Sequence, residues 1–331
     1  MRASRFFLFG MQLVLLLITT TEAAAPVSPC QTQCGNITIP YPFGIGEPGC
    51  FRPGFNLTCN QSTSGPKLYL GDGTYEATDL LLTQGQVLIK SPVLSLYCNP
   101  QDSVQESLKI PWTGLGNNGP YTFSSTRNTF ITISCSVISY VISSSNFDNP
   151  ISLCASICFD FTSVMRNNDS CTGIGCCQAT IGRGTRFLNI RIASVLNQTG
   201  PSDIGPCTKI FLVDRDWFRF DPIQLANNNF YSEGFKVPVV VDWVIPWETL
   251  ENSTWSCAYA VKNQTAYACR SEYTMCVESG SGYLCKCSPG FEGNPYISNG
   301  CKGTALCFLE SERPHILLLI CSHSLFVCRN F

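Results

Sequence analysis

Apolar and polar residues alternate over short stretches of this chain, and no stretch carries the 3.6-residue period of a long amphipathic helix. Lys67 to Leu70, Gln86 to Lys90 and Thr129 to Val137 read as strands, and the Gly71-Asp72-Gly73 that follows Leu70 reads as a turn. Leu188, Ile190 and Ile192 alternate with Asn189, Arg191 and Ala193, which sets one apolar face against a core and the other toward solvent. Val237 to Trp247 is a further apolar, β-branched run. Pro238 and Pro246 interrupt it, and because proline has no N–H to give to a ladder they predict an edge strand or a connecting segment. The whole pattern predicts a mainly β chain with small cores.

One apolar stretch is of another kind. Arg2 and Arg5 precede the run Phe6 to Ile18, and Thr21, Ala23, Ala24 and Ala25 supply small residues before Pro26, so residues 1–25 read as a signal peptide. The run is shorter than the roughly 20 apolar residues that cross a bilayer. The later patch Ile316 to Ile320 is interrupted by Cys321 to Ser324, so no transmembrane segment is expected and the processed chain should be soluble and secreted.

Composition sharpens the compartment. The chain holds 21 cysteines in 331 residues, a density that persists only where disulfides form, so disulfide-rich extracellular modules are expected. Eighteen of them fall into three groups: Cys30, Cys34, Cys50, Cys59, Cys98 and Cys135; Cys154, Cys158, Cys171, Cys176, Cys177 and Cys207; Cys257, Cys269, Cys276, Cys285, Cys287 and Cys301. Loop-like spacers at Ser143 to Pro150 and Asn227 to Gly234 lie between the groups, which predicts modules at 26–142, 143–250 and 257–301 and a tail at 302–331. Asn36, Asn56, Asn60, Asn168, Asn197, Asn252 and Asn263 head Asn-x-Ser/Thr tripeptides, each a glycan acceptor in a secreted chain. The net charge of −2 comes with no basic run and no acidic tail, so nucleic acid is not a predicted partner.

Enzyme chemistry finds little to work with. His315 and His323 are the two histidines, both in the tail, so a Ser-His-Asp or Cys-His system in the body lacks its base. Asp214 and Asp216, two apart on a probable strand, could imitate a glycosidase pair, but Arg215 and the aromatic residues after it fit a strand end equally well. The glycine-rich, His-Arg-Asp and Asp-Phe-Gly signatures of a kinase are absent from the sequence. No cofactor is expected. Clustered cysteines also raise zinc, but in a secreted chain disulfides take precedence and no metal site is predicted.

Cys285-Lys-Cys287, Ser-Pro-Gly290-Phe291-Glu-Gly293 and the closing Cys301 resemble an EGF-like module. Spacing alone leaves the pairing of six cysteines open. The resemblance implies Cys257–Cys276, Cys269–Cys285 and Cys287–Cys301, and the stretch Glu248 to Ser256 lacks the acidic signature of a calcium-binding version.

Farther upstream, Cys30-Gln-Thr-Gln-Cys34-Gly-Asn-Ile-Thr-Ile-Pro-Tyr-Pro-Phe43, Gly49-Cys50 and Phe55-Asn-Leu-Thr-Cys59 resemble the galacturonan-binding module of plant wall-associated receptor kinases. Cys171-Thr-Gly-Ile-Gly-Cys176-Cys177 and Gly205-Pro-Cys207 with Phe211 to Phe218 resemble the second extracellular region of the same family, and Gly293-Asn-Pro-Tyr296 follows in the family's order. The resemblance implies non-catalytic binding of pectin (homogalacturonan) in the cell wall. A soluble protein- or peptide-binding regulator of a full-length receptor kinase is the alternative.

A uronide polymer requires Arg or Lys for its carboxylates and aromatic faces for its rings. In the first module these are Arg52, Lys67, Lys90, Lys109 and Arg127, with Tyr41 and Trp112, and with Phe43 and Tyr69 near them in sequence. Five basic residues face six acidic ones between Cys30 and Cys135, so no net positive field is expected there. From Asp160 to Phe220 seven basic residues face five acidic ones, with Arg183, Arg186 and Arg191 close together, and this region could share the ligand. After Cys301 the sequence departs from the family pattern, so residues 302–331 are expected to derive from a retained intron or a truncated gene model. Setting aside Cys307, Cys321 and Cys328 leaves an even set of cysteines.

Overall fold

The structure is a computed structural model that describes residues 30–96 (64 and 72 excepted), 108–111, 114–116, 119–142, 150–158, 161–166, 170–194, 207–227, 230–231, 234–247 and 255–304, and strands within 307–328. The leader expected at 1–25 lies outside these residues. The fold is mainly β, and its largest sheet has six antiparallel strands. These are β3 (Leu57–Asn60), β4 (Lys67–Leu70), β5 (Tyr75–Leu81), β6 (Gln86–Pro92), β16 (Lys236–Trp243) and β9 (Tyr121–Phe123), in that spatial order. The inner face is set by alternation: Leu68, Leu70, Ala77, Val87, Ile89, Val237, Val239 and Val241 are buried, and of the residues between them Glu76 and Val240 are buried as well.

A second sheet runs β13 (Cys176–Ala179), β10 (Asn128–Ile133), β15 (Thr208–Asp214) and β7 (Leu94–Leu96); a third runs β12 (Pro150–Ser156), β11 (Val137–Ile142), β14 (Asn189–Ser194) and β8 (Leu108–Pro111). The second sheet is the middle layer. Its β15 touches β6 and β16 of the first sheet, and its β10 touches β12 of the third. Every residue of β10 and β15 is accordingly buried, which is the signature of strands covered on both faces.

Two expectations change here. Thr129 to Val137 is two strands, β10 and β11, which belong to different sheets. The chain turns between them because Ser136 adopts a positive φ of 58°, Cys135 is bonded to Cys158, and the Ser134 hydroxyl meets Thr208 Oγ1 at 2.7 Å. The run from Val237 is also no edge: β16 lies between β6 and β9. Pro238 is accommodated because β9 pairs only with Val241 to Trp243, so the prolyl nitrogen stands beyond the end of that ladder.

The boundary expected near Ser143 does not separate sheets either. β16 from the second segment completes the sheet begun by β3 to β6, while β10 from the first segment pairs with β13 and β15 from the second. The disulfides cross in the same way: Cys30–Cys50 and Cys34–Cys59 stay within the first group, whereas Cys135–Cys158 joins the first to the second. Adjacent Cys176 and Cys177 go to Cys171 and Cys154. Cys207 is disulfide-bonded too.

Residues 257–301 are held by Cys257–Cys276, Cys269–Cys285 and Cys287–Cys301 around the hairpin of β18 (Thr274–Ser279) and β19 (Gly282–Cys287). Short strands β20 (Phe291–Gly293) and β21 (Cys301–Gly303) close the unit. It is docked on the sheets. β17 (Ile245–Pro246), two residues past β16, pairs with β19. The Tyr296 ring meets Trp243 at 5.7 Å, and Trp243 makes edge contacts with Phe43 and Phe55 at 5.3 and 5.4 Å. Asn294 Nδ2 donates to the Tyr41 carbonyl at 2.7 Å.

The small strands β1 (Gln33–Cys34) and β2 (Ile37–Thr38) pair near the start. In the tail, β22 (Cys307–Glu310), β23 (Leu317–Cys321) and β24 (Ser324–Cys328) form a hairpin pair.

Candidate functional site

The outer face of the six-stranded sheet gathers cations from three strands. Register places Tyr69 of β4 opposite Glu76 of β5, Glu76 opposite Lys90 of β6, and Lys90 opposite Pro238 of β16. Lys67 stands two positions before Tyr69 and Lys236 two before Pro238, on the same face. Lys90 Nζ lies 2.7 Å from Glu76 Oε1, and Lys236 Nζ lies 3.9 Å from Oε2. Glu76 is buried, and burial pushes its pKa up. The Lys90 hydrogen bond and the charges of Lys90, Lys67 and Lys236 outweigh that effect and hold the carboxyl below its ordinary value. Three ammonium groups thus share one carboxylate, and the Lys90 and Lys236 side chains keep 44% and 43% of their surface exposed. Lys67, Lys90 and Lys236 stand around Glu76 beside the half-buried Tyr69 ring, with Asp79 of β5 and Asp242 of β16 farther along their strands.

Of the residues singled out from sequence, Lys67 and Lys90 belong to this patch. Lys236 was missed: it follows Lys90 by well over a hundred residues, and only the strand pairing of β6 with β16 brings the two together. The available signal was the β-branched run that Lys236 opens.

The remaining candidates stand elsewhere. Arg127 Nη2 is 3.0 Å from Asp214 Oδ2 and 3.3 Å from Asp216 Oδ2, so its charge is already matched. Both carboxylates of the Asp214–Asp216 pair turn to that one guanidinium, and Asp214 also accepts from the Asp216 N–H. Tyr41 is half-buried in a loop with a cis Tyr41–Pro42 bond, and Phe43 is core, packed edge-on to Phe55 and Trp243. Phe43 therefore offers no stacking platform. Lys109 pairs in register with Arg191 on the third sheet, its side chain lying outside the described residues, as does Trp112. Arg183 is exposed, while Arg186 is half-buried and its pKa is lowered by desolvation. Arg52 reaches residues 257–301, where its guanidinium donates to the Ala266 carbonyl.

Among the glycan acceptors, Asn36, Asn56 and Asn60 are exposed and Asn263 is half-buried; Asn168, Asn197 and Asn252 lie outside the described residues. No group of three or more His, Cys, Asp or Glu side chains among the described residues is arranged to hold a metal. No helix among them is long and apolar enough to cross a membrane.

Residues 30–91 match the family model for the galacturonan-binding region of wall-associated receptor kinases. That span contains β3 to β6, and with them Lys67, Tyr69, Glu76 and Lys90. Wall-associated receptor kinase 2 of Arabidopsis thaliana is 34% identical over 307 residues, covering 91% of this chain and 38% of the receptor. Wall-associated receptor kinase 3 of the same plant is 31% identical over 87% of the chain and 37% of its own length, and wall-associated receptor kinase-like 4 is 30% identical over 91% of the chain and 40% of its own. The chain thus spans less than half the length of each receptor. No solved structure matches it. The chain is a relative of the wall-associated receptor kinases and carries their galacturonan-binding module at residues 30–91.

Proposed function

We propose that this chain binds galacturonan in the plant cell wall, without catalysis, through the outer face of its six-stranded sheet. The observation that carries the reading is the coincidence of the matched module with the lysine patch: the span 30–91 contributes Lys67, Tyr69 and Lys90 to one face, and β16 adds Lys236. Galacturonan presents a carboxylate on each ring, and a row of exposed ammonium groups on a rigid sheet meets such a repeat without rearrangement. An extracellular site accords with the disulfides, which persist in oxidising surroundings. Lysine contacts at an exposed face are screened by salt.

The test is retention of the full chain on immobilised polygalacturonate across a salt series, with and without calcium. Retention that weakens steadily with salt supports direct lysine pairing. Retention only in the presence of calcium would show that bridging ions, rather than the lysines, hold the polymer, and an absence of retention would favour a protein partner such as a full-length receptor kinase.

A further inference from the structure

Arg52 lies off the sheet patch and reaches the surface of residues 257–301. Its main chain is fixed from both sides: the N–H donates to the Pro42 carbonyl at 2.9 Å, and its carbonyl accepts from the Phe55 N–H at 2.9 Å. The guanidinium bonds the Ala266 carbonyl and meets no carboxylate among the described residues. It is also the only charged side chain among the described residues lining a cleft at the seam between the galacturonan-binding module and residues 257–301. Aromatic rings form much of the rest of that cleft. Trp247 meets Tyr283 at 5.1 Å, Tyr267 stacks on the same Tyr283 at 5.8 Å, and Trp255 and Tyr259 complete the lining with Asn263. Trp255 is 54% exposed although it belongs to no hydrophobic core.

We infer that this seam is a second uronate site, which takes one carboxylated sugar ring of the galacturonan chain; the inference rests on the galacturonan reading and extends it onto residues 257–301. The cleft encloses only about 30 Å³, so the ring lies across its mouth rather than inside it. Arg52 supplies the cation that a uronate carboxylate requires, with guanidinium N–H groups beyond the one given to Ala266. The exposed indole of Trp255 supplies an apolar face of ring dimensions with a polar edge, the combination that suits a sugar. A neutral peptide would leave Arg52 unmatched. Charge complementarity therefore selects an anion, and the aromatic lining selects a ring-bearing one.

The experiment titrates short oligogalacturonides into the full chain and into Trp255→Ala and Arg52→Gln, with folding checked by denaturant midpoint. Trp255 is exposed, so its variant should keep the parent midpoint and separate binding from stability. Each variant should lose about tenfold in affinity, the effect of one charge-assisted or aromatic contact, and fully methyl-esterified oligomers should bind parent and Arg52→Gln alike. A parent that binds while both variants match it overturns the seam site and leaves the sheet-face reading standing. A parent that binds no oligogalacturonide overturns both. Polyglutamate binding as tightly as the oligouronide, with the same dependence on Arg52 and Trp255, would reassign the seam to acidic peptide.

Discussion

The side-chain amide of Asn128 hydrogen-bonds both backbone groups of Val240: Nδ2 donates to the Val240 carbonyl at 2.6 Å, and Oδ1 accepts from the Val240 N–H at 2.9 Å. Asn128 opens β10 in the middle sheet and Val240 lies in β16 of the six-stranded sheet, so one side chain ties the two sheets together and satisfies the Val240 N–H past the end of β9, whose successor Ser124 also donates to the Val240 carbonyl. Both residues are buried. Asn128→Ala should therefore leave the buried Val240 N–H unsatisfied, while the Val240 carbonyl keeps the Ser124 N–H at 3.0 Å, and should cost about 1–3 kcal/mol. Asn128→Asp should also destabilise, because it keeps the acceptor and loses the donor. Urea unfolding of the full chain measures both, and an Asn128→Ala midpoint equal to the parent's would refute the role.

That contact also marks where the sequence stops being legible. Alternation identified β4, β6 and the buried face of β14 from Leu188, Ile190 and Ile192, because each is covered on one face and so carries a period of two. It failed at Ser134 to Ser136, where polar residues are buried by mutual hydrogen bonds and the break between β10 and β11 looks like more strand. It failed again for β16, since a proline argues for an edge unless one knows that β9 pairs only at the far end. The site followed the same rule. Lys67 and Lys90 are local to the matched module, but their convergence with Lys236 is a matter of strand order, which no spacing of residues encodes.

Arg127 separates stability from binding. Its guanidinium holds Asp214, whose side chain is only 11% exposed, and Asp216 beside it. Arg127→Ala leaves a largely buried carboxylate without its cation and should cost about 1–3 kcal/mol, discounted because Arg127 itself is partly exposed. Retention on polygalacturonate at a temperature where the variant stays folded should be unchanged. A loss of retention with an unaltered unfolding midpoint would move Arg127 into the binding surface.

Glu76 ties the lysine patch to pH. Its carboxyl is held below the ordinary value by Lys90, Lys67 and Lys236 against the opposing effect of burial. A depressed folded pKa contributes stability that is complete above the unfolded value, about 4.3, and is lost as pH falls through the folded one. Unfolding midpoints should decline below about pH 4.3, and Glu76→Gln should flatten that decline. Removing the carboxylate also frees the lysines, so the same variant should bind polygalacturonate more tightly at low salt and show a steeper salt dependence. Parallel declines in parent and variant would show that other carboxylates control the acid limb.

Lys236 is the sharpest test of how the binding face is built, because it lies outside residues 30–91 yet approaches Glu76 from β16. If the module acts through its own residues alone, Lys236→Ala changes nothing. If the face is assembled across the sheet, the variant removes one of three ammonium groups, and affinity for polygalacturonate should fall by about two- to fivefold at low salt, as for a single exposed ion contact of up to about 1 kcal/mol. The fall should vanish at high salt. Stability should move little, since the 3.9 Å separation makes Lys236 a weaker partner of Glu76 than Lys90 at 2.7 Å. Lys236→Arg keeps the charge and should restore most of the affinity, an outcome that loss of side-chain packing would not give.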